Sequence, residues 1–147
     1  MRLYLTRHGQ TEWNVAQRMQ GACDSPLTEL GLRQAEQLKK RMELLRVDRA
    51  YVSPLKRAMD TAQMITGGRD VELIPDMRLK EASLGAFEGL TIEQAQARYP
   101  EQALNFRRHP DLFHPVGGGE DFRQVRARVE AGLTNQTSRA PGKTTSQ

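Results

Sequence analysis

Arg7, His8, Gly9 and Asn14 form a short constellation suited to an anion. Arg7 offers a fixed fork of donors to phosphate, Asn14 adds a neutral donor, and a nitrogen of His8 can attack phosphorus. Two residues further along fit the same chemistry. Arg57 falls in the first turn of a predicted helix, where free amide groups and the positive helix end already draw an anion. It either reinforces that field or simply pairs with an Asp or Glu. Glu81 lies in a glycine-punctuated loop, Leu79 to Gly89. A partly desolvated carboxyl there can hold a proton near neutral pH and deliver it to the leaving oxygen of a phosphate ester, whereas a solvated one does nothing chemical.

These residues need elements to position them. Leu3-Tyr4-Leu5 predicts a buried strand that delivers Arg7 and His8 at its carboxyl end, where ligands gather in open α/β sheets, and Gly9 lets the backbone turn tightly. Thr28 predicts a cap for a helix whose apolar face is Leu32, Ala35, Leu38, Met42 and Leu45, with Lys39, Lys40 and Arg41 on its solvated side. Ala50 to Val52 is a strand candidate. Ser53 as cap and Pro54 at the first helical position announce a helix from Leu55 to about Thr66, with Leu55, Ala58, Met59, Ala62 and Ile65 inward and Gly67-Gly68 as its stop. Val71 to Ile74, closed by Pro75, is a second strand, and the alternation predicts a largely parallel α/β sheet. Thr91 and Gln94 form a capping box for a short helix ending by Tyr99-Pro100, and an Arg-rich helical piece runs to about Arg108. His109 to Gly119 reads as loop, with Gly117-Gly118-Gly119 giving it mobility, and Glu120-Asp121 opens a helix with Phe122, Val125, Val129 and Leu133 on one side.

Composition bounds the partners. With 147 residues the chain suits one domain. Twenty-two Lys and Arg against 18 Asp and Glu give a net charge of +4 and favour anionic ligands. Interleaved acidic residues and the lack of a basic, aromatic stripe speak against nucleic acid. A single cysteine, Cys23, precludes an intramolecular disulfide and fits a reducing compartment; no apolar run suits a signal peptide or membrane span, so the expected location is cytoplasmic.

Thr6-Arg7-His8-Gly9-Gln10-Thr11-Glu12-Trp13-Asn14 closely resembles the signature of the histidine phosphatase superfamily, the phosphoglycerate-mutase-like enzymes. Ser53 to Ala58 followed by Thr61-Ala62 resembles its second signature, and Leu79 to Gly89 resembles the segment carrying its acid/base glutamate. The resemblance implies a three-layer α/β/α fold with a mostly parallel sheet. It implies that His8 becomes phosphohistidine, that Arg7, Asn14 and Arg57 hold phosphoryl oxygens, and that Glu81 serves as acid and base. The backbone around Gln20 and Gly21 would line the substrate side. The expected ligand is a small phosphorylated metabolite. No cofactor or metal is implied, because the arginines do the work of a cation. Ser83-Leu84-Gly85-Ala86-Phe87-Glu88-Gly89 looks more like the broad-specificity and α-ribazole-type phosphatases than like true mutases, which ranks hydrolysis above mutase transfer. The segment of about 91–119 corresponds to an insert over the pocket, where Arg98, Arg107 and Arg108 either meet an acidic substrate or form an exposed face.

The resemblance covers about residues 1–133 and then breaks. From Thr134 the chain lacks any strand-forming run and reads as a disordered tail. In the resembling enzymes a Pro-Gly-Lys-Thr-like turn leads to a strand and a second His-Gly, whereas here Pro141-Gly142-Lys143-Thr144 is followed by polar residues, the pattern of a frameshift or truncation. Loss of that histidine predicts a rate lower by about 10²–10³ if it acts as an oxyanion donor, and in the limit an inactive pseudoenzyme that only binds phosphorylated ligands. Loss of the strand predicts an uncovered sheet edge and self-association.

Overall fold

A computed structural model describes residues 2–138. Its sheet, among the described residues, consists of two parallel strands, β1 (Arg49–Val52) and β2 (Glu72–Pro75), joined through a helix, Lys56–Thr66. The register pairs Arg49 with Glu72 and Val52 with Pro75, and the Arg49 and Glu72 side chains form an ion pair of 3.0 Å at one end of the ladder. This is the α/β arrangement expected from alternating strands and helices. The strand expected at Leu3 to Leu5 does not form: the segment has no ladder, and Leu3 and Leu5 are 63% and 86% exposed. An extended run becomes a strand only when a neighbour takes up its amides and carbonyls, and neither β1 nor β2 does so.

Numbering helices in chain order, α1 is Glu12–Val15, α2 is Glu29–Met42 and α3 is Lys56–Thr66. Thr28 caps α2 as expected, its hydroxyl accepting from the Gly31 amide at 3.1 Å, but Leu32 on the predicted inner face is exposed and Leu45 lies beyond the helix end. For α3 the start moves two residues on, with Leu55 rather than Ser53 at the cap position, although the Ser53 hydroxyl accepts from the Leu55 amide at 3.4 Å. The buried stripe of α3 is Arg57, Thr61 and Ile65, one residue per turn, so the inward face is rotated from the aliphatic one read from sequence and carries two polar side chains.

The apolar core lies elsewhere. Helices α4 (Ile92–Arg98), α5 (Pro100–Arg108) and α6 (Phe122–Ser138) close over the turn Gly85–Phe87, and Phe87 is fully buried against Tyr99, Phe106 and Phe113. The Thr91 and Gln94 capping box of α4 forms as predicted. Of the three glycines before α6, expected to give mobility, Gly119 serves close packing instead, whereas a Cβ on Gly118 would meet open space. A Cβ on Gly119 would lie 2.5 Å from the Ser83 carbonyl, and one on Gly85 would lie 2.0 Å from that of Gly118; the Ala86 amide also bonds the Val116 carbonyl at 2.8 Å. Helix α6 runs past Thr134 to Ser138, into the segment expected to be irregular, because a helix once formed adds residues at little cost. The rest of that expected tail, 139–147, lies outside the described residues. Among the described residues no helix is long and apolar enough to cross a membrane.

Candidate functional site

Arg7, His8 and Asn14 line one open depression of about 290 Å³, together with Gln10 and Gln34. The loop that carries them is held by α1 and α2. Thr11, fully buried, and Asn14 form a capping box at α1: the Asn14 side-chain oxygen accepts from the Thr11 amide and hydroxyl, each at 3.0 Å. Its oxygen is thus committed inward, and its amide N–H groups remain to face an anion. At α2 the contact is backbone on backbone. A Cβ on Gly31 would lie 2.1 Å from the Gln10 carbonyl and one on Gly9 2.5 Å from that of Gly31, while the Gln34 side chain accepts from the Gln10 amide at 2.9 Å. His8 Nδ1 lies 2.8 Å from the carbonyl of Gly9.

Arg57, 3% exposed, does not face this depression directly. Its Nη1 donates to Asp24 at 3.0 Å and to the Cys23 carbonyl, and its Nη2 donates to the Gly21 carbonyl at 2.9 Å. The ion-pair reading of Arg57 is therefore realised, with Asp24. That carboxylate also accepts the amides of Lys56 and Arg57 at 2.7 and 3.3 Å, so it caps α3 from a distant loop. Gln20 is buried and its side-chain oxygen accepts from Ser25 at 3.2 Å; Gly21 takes a left-handed φ of 53°. The two groups meet through Thr61, whose hydroxyl accepts from the Gly9 amide at 3.1 Å and donates to the Arg57 carbonyl at 2.7 Å.

Glu81 is exposed, its Oε1 accepting from the adjacent Ala82 amide at 3.0 Å. Its loop nonetheless abuts Gly21, where a Cβ would lie 3.0 Å from the Ala82 carbonyl. The structure thus gathers Arg7, His8 and Asn14 at the depression, and separately sets Arg57 of α3 against the loop that carries Gln20 and Gly21. Glu81 makes no hydrogen bond to either group.

Sequence reasoning assigns no role to three supporting residues. Asp24 is not singled out, and Thr61 and Glu88 enter only as parts of the resembling segments, because their partners lie far along the chain. Glu88 accepts from the amides of Ala22 and Leu84, each at 2.9 Å, and from the Cys23 thiol at 3.1 Å. Burial alone would raise its pKa, but these bonds and one from Ser83 hold it below the usual carboxylate range. The Glu88 hydrogen bond, then burial and the carboxylate charge, push the Cys23 thiol up. A second carboxylate, Glu120, binds the Ser83 amide at 3.1 Å and Arg128 at 2.6 Å, and the Arg128 bond lowers its pKa against the opposing effect of burial. Among the described residues no three His, Cys, Asp or Glu side chains gather as a metal-ligand set.

Residues 3–146 match the family model of the histidine phosphatase superfamily, branch 1. Over 145 residues the chain is 35% identical to a probable phosphoglycerate mutase GpmB of Cronobacter sakazakii, covering 97% of this chain and 66% of that protein. Phosphoserine phosphatase 1 of Hydrogenobacter thermophilus is 36% identical over 135 residues, 90% of this chain and 63% of its own length. The chain therefore spans just under two thirds of the length of these relatives. Among solved structures, YhfR of Bacillus stearothermophilus superimposes with a TM-score of 0.88 at 39% identity, over 93% of this chain and 67% of that one. A mycobacterial glucosyl-3-phosphoglycerate phosphatase, described in complex with VO3, gives 0.81 at 34% identity, over 91% and 63%. With its family model spanning nearly every residue and its fold shared with these enzymes, the chain belongs to the histidine phosphatase superfamily, branch 1.

Proposed function

We propose that the chain carries a phosphomonoester hydrolase site that works through a phosphohistidine at His8, on a small phosphorylated metabolite. The observation that carries this reading is the 2.8 Å contact of His8 Nδ1 with the Gly9 carbonyl. A carbonyl only accepts, so Nδ1 holds the ring proton and Nε2 keeps the lone pair needed for attack. In the first step Nε2 bonds to phosphorus, the ester P–O bond breaks, and the leaving oxygen takes the proton of the Glu81 carboxyl, the role the family resemblance implies; because this side chain is exposed in the structure, the role requires bound substrate to withdraw it from water. In the second, water bonds to phosphorus as the P–N bond breaks, and the Glu81 carboxylate takes up the water's proton. Arg7, the Asn14 amide and the uncommitted N–H groups of Arg57 balance charge on the phosphoryl oxygens, with Gln20 and Gly21 bordering the organic part.

Hydrolysis of p-nitrophenyl phosphate by the 147-residue chain and by His8→Ala, both in chelator, tests the reading. His8-dependent turnover that vanadate inhibits is expected. Equal rates for the two proteins would overturn it. The names of the GpmB relatives support a second reading, in which the phosphohistidine passes its group to a hydroxyl instead of water. Transfer to an added phosphoglycerate that outpaces release of inorganic phosphate would select it.

A further inference from the structure

The loop from Gly21 to Asp24 is gripped from two sides. Arg57 takes its carbonyls, those of Gly21 and Cys23, and the Asp24 carboxylate. Glu88 takes its donors, the Ala22 amide and the Cys23 thiol, and anchors them through its own bond to the Leu84 amide. Nothing else among the described residues bonds the Ala22 amide. The fit is close, because a Cβ on Gly21 would lie 2.4 Å from Glu88 Oε1.

The grip decides what Arg57 can do. A guanidinium has five N–H groups, and three are committed to the loop: both on Nη1 and one on Nη2. The remaining N–H groups, on Nε and Nη2, keep their direction only while the loop stays in place. We infer that Glu88 is a positioning residue: by holding the Ala22 and Cys23 donors opposite Arg57, it fixes loop 21–24 and so aims the remaining Arg57 donors at the phosphoryl group. The inference rests on the hydrolase reading for its use in turnover, but the clamp itself can be read without turnover.

The test compares the full chain with Glu88→Ala and Glu88→Gln, using hydrogen exchange over residues 20–24 and p-nitrophenyl phosphate kinetics. Gln keeps an oxygen for the Ala22 and Leu84 amides and loses only the acceptor for the thiol. It should leave exchange unchanged and kcat/KM within about threefold. Ala removes the clamp. Exchange over 20–24 should rise at least about tenfold, and KM should rise about tenfold with a smaller fall in kcat, at an unchanged exchange rate in α5. Unchanged exchange in Glu88→Ala would overturn the clamp; looser exchange with unchanged kinetics would overturn its positioning role. If the unaltered chain shows no turnover, the hydrolase reading fails separately, and inorganic phosphate becomes the probe. Phosphate that slows exchange over 20–24 in the unaltered chain but not in Glu88→Ala supports the positioning role, and phosphate without effect on either overturns it.

Discussion

The part of the molecule around Phe87 is held by side chains, and the part around His8 is held by backbone. Phe87 has no exposed surface and stacks or tilts against Tyr99, Phe106 and Phe113, with Phe122 extending the cluster. Around His8 the large apolar side chains are outside: Leu3, Tyr4, Leu5 and Val15 are all exposed. What fixes that loop is the close approach of Gly9 to Gly31, the Thr11 and Asn14 box, and bonds from Thr61 and Gln34. The two kinds of support fail differently. Ring packing suffers from lost volume, whereas glycine and amide contacts suffer from added volume or a lost acceptor.

Four changes would break or sharpen this contrast. The largest effect is expected from Phe87→Ala, which should cost about 3–5 kcal/mol in urea unfolding, since it leaves a cavity among three rings. A cost under about 1 kcal/mol would mean that the cluster is not the stabilising core. Next, Gly31→Ala should cost about 1–3 kcal/mol by pushing the new methyl into the Gln10 carbonyl, and should impair His8-dependent turnover more than Phe87→Ala does at equal folded fraction. Turnover unaffected by Gly31→Ala would detach the α2 contact from the site.

The third is a pH effect. The folded-state pKa of Glu120 lies below its ordinary value of 4.5, held down by Arg128. The unfolded chain therefore binds this proton at higher pH, so the contribution is fully present above about 4.5 and is lost as pH falls through the lower folded value. Stability measured by urea unfolding should fall below that pH less steeply in Glu120→Gln than in the unaltered chain, and parallel curves would remove Glu120 from the account. The smallest effect is expected at the exposed amino-terminal run. Leu5→Ser should change stability by less than about 0.5 kcal/mol, but it should weaken any concentration-dependent association seen by sedimentation. A cost above about 1 kcal/mol would show that Leu5 is covered in solution.

Legibility in the sequence followed the same division. The capping signals at Thr28 and Thr91 sit next to the helices they start, and both helices begin where the residues indicate. The strands at β1 and β2 were readable from short apolar runs between turns. Leu3 to Leu5 has the same local pattern and forms no ladder, because pairing depends on a neighbour that a local reading does not see. At the site, residue type alone indicated that Arg7, His8 and Asn14 suit an anion, and they do share one depression. The use of Arg57 was less legible: its partners Asp24, Cys23 and Gly21 come from a loop more than thirty positions earlier, as separations of 33, 34 and 36 residues attest. Gly119 misled in the other direction, since the absence of a side chain allows either motion or contact, and only the opposing backbone, here the Ser83 carbonyl, decides.

Thr61 has a consequence in the order of folding. Its one hydroxyl joins Gly9 to α3 across a separation of 52 residues. A contact of that span forms only after the entropy of closing the intervening chain has been met, whereas the α4 and α5 neighbours beneath Phe87 are near in sequence and close early. The aromatic unit can therefore assemble while His8 is still unplaced, and the His8 loop joins α3 only once that long closure is made and a single oxygen atom bridges the two signatures.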